Sequence, residues 1–111
     1  MSFDTPSSAA PDAETPTRIG ERRTFLSVLD EAVREHGGMS CGVVRRAGVP
    51  VLHVINSEHA CRRTEVGAEF VGSGWWFIWA ETDGTIGPVE DPAGVAEAVG
   101  RYLGVHVRAV R

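Results

Sequence analysis

Both thiols, Cys41 and Cys61, and two of the four imidazoles, His53 and His59, supply the ligand types that zinc prefers. The run His59-Ala60-Cys61 with two distant partners matches no zinc-finger spacing. The same groups could pair as nucleophile and base, but neither cysteine sits in a pattern that builds a strained elbow or an oxyanion nest. An isolated cysteine reads as a small buried hydrophobe, and a histidine in a strand as a hydrogen-bonded side chain. No catalytic residue, metal or cofactor is assigned on this basis, and whether the four cluster depends on the fold.

Glu65 and Glu69 are four residues apart in a strand-like segment and could be cast as acid and base. Nothing local would shift either pKa, so they read as a solvated face. The glycines fall at turns and helix ends, not in a phosphate-binding loop after a parallel strand. Arg45-Arg46 and Arg62-Arg63 read as solvated strand ends, a small anionic site between them being the alternative.

The 111 residues suit one domain with one hydrophobic core, and 42% hydrophobic with 23% charged residues is ordinary globular composition. No apolar run is long enough to span a bilayer, so no membrane partner is expected. A net charge of −4 argues against nucleic acid, because phosphate binding needs a basic footprint. All eleven lysine-or-arginine positions are arginine, as a GC-rich genome would produce. The first residues carry acids and prolines where a secretory leader would be basic and then apolar, which implies a cytoplasmic address. Two cysteines are too few for a disulfide scaffold and should remain thiols there.

Residues 1–17, rich in Ser, Pro, Ala and Thr, read as a flexible tail, and 18–111 as a single α+β domain. Phe25, Val28, Leu29, Ala32 and Val33 recur at helical spacing over 21–36, and Gly37-Gly38 supplies the stop. Strands are expected at 41–46, 51–55, 64–71 and 75–80, with Asp83-Gly84 as a two-residue turn into Thr85-Ile86-Gly87. Asp91 and Pro92 open a second helix with a stripe of Val95, Ala98, Val99, Tyr102 and Leu103, and 105–110 reads as a last short strand. The fold class is thus an antiparallel β-meander of four to five strands, flanked by an N-terminal and a C-terminal helix packed on one face.

With Gly72-Ser73-Gly74 as the hairpin loop, Val71 faces Trp75, Phe70 faces Trp76 and Ala68 faces Ile78. Val66, Ala68, Phe70, Trp76, Ile78 and Ala80 then floor the helices. Trp75, Phe77 and Trp79 stand on the other face beside Glu65 and Glu69. Three large rings left in water would forgo several kcal/mol at about 25 cal/mol per Å². Two helices cannot cover both faces, so these five residues are the expected partner-binding site, for a homodimer or another protein. Carboxylates beside indoles would also suit a cationic group. The alternatives are cover from the chain itself, or a small-molecule pocket edged by the same aromatics and Glu65 or Glu69.

Val51 to Asn56, Trp75 to Trp79, Ile86-Gly87-Pro88 and the Asp91-Pro92 helix ending at Leu103-Gly104 together resemble small, uncharacterised actinobacterial proteins over residues 20–105. That resemblance implies an actinobacterial cytosol and transfers no site residue. In outline the arrangement is also similar to the type III secretion chaperone-like class, which implies dimerisation and binding of protein segments. The functional expectation is a noncatalytic accessory or regulatory protein acting by self-association or partner binding.

Overall fold

In the computed structural model, residues 16–105 are described, with side chains from residue 20 onward. The order is α1 (Pro16–His36), β1 (Met39–Arg46), β2 (Val49–Asn56), β3 (Arg63–Val71), β4 (Gly74–Trp79), β5 (Thr85–Pro88) and α2 (Pro92–Tyr102). The five strands form one antiparallel sheet in the order β1-β2-β3-β4-β5, and the chain is an α+β fold with a helix at each end of the meander. The tail before residue 16 and most of the expected last strand at 105–110 lie outside the described residues.

The helices pack against each other, α1 over β1, β2 and β3, and α2 over β5. Leu26, Leu29 and Val33 of α1 and Val95, Ala96, Val99 and Leu103 of α2 meet Leu52, Val54, Val66, Ala68 and Phe77 of the sheet. The buried stripe of α1 therefore runs through Leu26, while Val28 is exposed, and Tyr102 of α2 is 59% exposed, both unlike the sequence expectation. Asp91 caps α2 by accepting from the Gly94 N–H at 3.1 Å, with Pro92 opening the helix, as its residue types predict.

The hairpin turns decide which side chains face the helices. Ala47 and Gly48 both have positive φ (54° and 81°), the backbone of a two-residue turn whose twist matches the strands it joins. The β3–β4 register is Val71↔Gly74, Phe70↔Trp75, Ala68↔Phe77 and Val66↔Trp79. Its turn is thus Gly72-Ser73, with Gly72 at φ 64°, not the three-residue loop that the glycine spacing suggests. One residue of register exchanges the faces of a whole strand. Trp75, Phe77 and Trp79 consequently lie under the helices, and Trp76 and Ile78 lie opposite.

The β4–β5 connection also differs from a two-residue Asp83-Gly84 turn. The Trp79 N–H donates to the Gly84 carbonyl at 2.8 Å, Thr82 and Asp83 donate back to the Trp79 carbonyl, and a bulge falls at Phe77/Ile78. Asp83 takes the left-handed conformation at φ 64° that the wider loop needs.

Candidate functional site

The partner-binding residues expected from sequence divide between the two sides of the sheet. Phe77 is fully buried in the core. Trp75 packs on Phe25 with ring centroids 5.2 Å apart, and Trp79 on Tyr102 at 4.6 Å. The platform of Trp75, Phe77 and Trp79 is therefore corrected: it rested on the other register, and the protein's own helices carry these rings. Glu65 and Glu69 do lie on the face away from the helices, joined there by Val44, Val51, Gly67, Ile78 and Trp76.

That bare face has a break in it, and its cause is a single residue type. The Asn56 N–H donates to the Arg62 carbonyl at 2.9 Å, so even-numbered residues of β2 form the hydrogen-bonded pairs with β3. The alternation brings Pro50 opposite Ala68, and proline has no N–H to give. The paired ladder ends at Leu52↔Val66. Arg22 of α1, only 4% exposed, fills the gap: its guanidinium donates to the Ala68 carbonyl and reaches through to Glu69, with an ion-pair distance of 3.0 Å.

On the bare side this opening is a cleft of about 280 Å³. Val51, Gly67 and Ile78 line it, with the charged groups Arg22, Arg46, Glu65, Glu69 and Asp83. Arg46 crosses the strip to bond Glu65 at 2.6 Å, and His53 Nδ1 lies 3.2 Å from the same carboxylate oxygen. The Arg46 hydrogen bond holds the Glu65 carboxyl below its ordinary value, against an opposing push from burial, with His53 adding to the lowering. The two glutamates are therefore engaged in ion pairs, where a merely solvated face was expected.

An adjoining polar cleft brings Arg46, His53 and Arg63 together with Thr64, Glu65 and Glu81. One member of each arginine pair thus reaches a common place, but with two carboxylates already present. Around the end of β3, Thr64 and Glu81 also line a smaller pocket with Trp79, Thr82 and Tyr102. Of the expected aromatic site, Trp79 alone among the three rings borders one of these pockets.

The thiols and imidazoles do not converge. Cys41 faces the helices, where its thiol donates to Asp30 Oδ1 at 3.3 Å, while His53 is on the opposite side of the sheet. His59 and Cys61 are exposed in the β2–β3 connection. Burial and then the Asp30 hydrogen bond push the Cys41 thiol up to about 12, so it stays protonated at neutral pH. Among the described residues no group of three or more His, Cys, Asp or Glu is placed to hold a metal ion.

Arg22, Thr64 and Asp83 were not singled out by sequence reasoning. Arg22 had a signal, since with Leu26, Leu29 and Val33 it continues the buried helical stripe. Pro50 inside a strand likewise marks a broken ladder. Asp83 stands in a turn whose geometry its residue type does not specify, and Thr64 depends on what covers it. No family profile, no curated protein and no solved structure matches this chain.

Proposed function

We propose that the protein is a noncatalytic accessory or regulatory factor that docks a protein partner on the bare face of its sheet. The observation that carries this reading is the asymmetry of cover. Both helices lie on one side, and the other side carries a strip of half-buried Val44 and Trp76 with Val51 and Ile78, only 7% and 5% exposed, set down in the cleft. Its cleft holds three carboxylates, Glu65, Glu69 and Asp83, against two guanidiniums, Arg22 and Arg46. The charge left over is negative, as is the whole chain at −4. The occupant that fits is an extended basic segment whose side-chain stems lie on the strip and whose cationic heads meet the carboxylates.

Arg46 already places a cationic head on Glu65 from within the chain. A fold-level resemblance to the type III secretion chaperone-like class is in keeping with partner binding, and the setting we propose is an actinobacterial cytosol. Among the described residues no helix is long and apolar enough to cross a membrane. Small-molecule binding is the second reading, favoured by the cleft itself, whose rim carries Glu65 and Glu69.

The test is an NMR titration with an extended peptide of alternating valine and lysine, alongside sedimentation of the protein alone. Saturable shifts at Glu65, Gly67, Asp83 and the Trp76 indole, weakened in Glu65→Gln and Asp83→Asn, are expected. A concentration-dependent dimer that protects Trp76 would replace the partner by a second copy. Absence of any shift on this face, with a monomer throughout, would refute docking there.

A further inference from the structure

Thr64 is 4% exposed, and its hydroxyl has no hydrogen-bond partner among the described residues. A buried hydroxyl normally finds one, and leaving it unsatisfied costs stability. It lines a pocket of about 90 Å³ between the end of β3, the β4–β5 loop and α2. The other walls are the Trp79 and Tyr102 rings, in contact at 4.6 Å and tilted by 41°, the Glu81 carboxylate and Thr82. Glu81 is the pocket's charged residue; it and Thr64 also line the adjoining cleft, and Arg46, His53 and Arg63 line that cleft but not this pocket.

We propose that this pocket is a recognition site for an alkylammonium group. An ammonium N–H donates to the idle Thr64 oxygen, Glu81 supplies the counter-charge, and the first carbons of the chain lie against the tilted indole and phenol rings. The pocket is too small for a whole cofactor, since a liquid water occupies about 30 Å³ and such sites generally exceed about 300 Å³. It has room for a head group. The assignment goes beyond sheet-face docking and stands on separate residues, so either reading can fail alone.

The alkylammonium could be a free amine or the end of a lysine side chain, and two probes separate them. Trp79 indole and Thr64 amide resonances are followed during titration of the full chain with n-butylammonium, with Nα-acetyl-lysine methylamide, and with n-butanol as the neutral isostere. Saturable shifts with the amines and none with the alcohol are expected, and preference between the amines identifies the source. Thr64→Val keeps shape and removes the acceptor; affinity should fall at least about tenfold, with Thr64→Ser retaining it. Glu81→Gln should weaken binding by a comparable factor. Equal response to the alcohol, no saturable response to either amine, or unchanged affinity in Thr64→Val would overturn the proposal.

Discussion

Replacing Arg22 by methionine would remove the guanidinium that closes the opening between β2 and β3 while leaving an apolar stem of similar reach. The Ala68 carbonyl would lose its donor in a buried setting, at about 1–3 kcal/mol. Glu69 would lose a counter-ion, but its side chain is 42% exposed and water can replace much of that interaction, so this part adds at most about 1 kcal/mol. A total of about 1–4 kcal/mol on a domain of this size lowers Tm by roughly 5–25 °C. Pro50, which lacks an N–H, causes the opening, and this yields a sharper consequence. Pro50→Val restores an N–H at the ladder position facing Ala68. In the native background, where Arg22 already serves that carbonyl, the change should cost about 0.4–1 kcal/mol through the unfolded chain. In the Arg22→Met background it should instead recover about 1 kcal/mol. Urea unfolding of the four proteins measures the coupling. Additive effects, with no rescue, would refute the account of Arg22 as the substitute for a missing strand donor.

A thiol reagent at pH 8 should label the exposed Cys61 promptly and leave Cys41 unmodified until the protein is unfolded; rapid uptake of two equivalents would contradict the burial and hydrogen bonding of Cys41. Asn56→Ala should destabilise by about 2–4 kcal/mol in chemical unfolding, because the buried amide donates to the Leu103 carbonyl at 2.9 Å and accepts from the Glu58 and His59 N–H groups, and a loss under about 1 kcal/mol would show those contacts to be dispensable. The Glu65 carboxyl is held below its ordinary value in the folded state, so its contribution is fully present above the ordinary carboxylate range of the unfolded chain and is lost as pH falls through the lower folded value. Thermal unfolding against pH should therefore show a shallower acid decline in Glu65→Gln than in the native protein, and parallel curves would contradict the pairing.

The sequence revealed the elements more readily than their facing. Asp91-Pro92 and Gly37-Gly38 mark helix ends because each residue type satisfies a local backbone requirement, and the observed helices end there. The strands were legible from their β-branched and aromatic content, each within a residue or two of its observed limits. Register was not, because Gly72-Ser73-Gly74 can make a two-residue or a three-residue turn, and β4 carries apolar residues on each side. A hydrophobic pattern discriminates faces only when one face is polar. The Glu65 and Glu69 positions were assigned to the correct side because their own strand alternates, whereas Trp75, Phe77 and Trp79 were carried to the wrong one by the turn. Thr64 and Arg22 owe their roles to long-range packing, against α2 and through the Pro50 gap, which no local window contains.

Cross-strand Hα–Hα contacts by NMR test most directly which side of the sheet the helices cover. The structure requires close contacts between Phe70 and Trp75 and between Ala68 and Phe77. Contacts from Val71 to Trp75 and from Glu69 to Phe77 would instead return the three rings to the bare side and remove both the charged cleft and the Thr64 pocket as described.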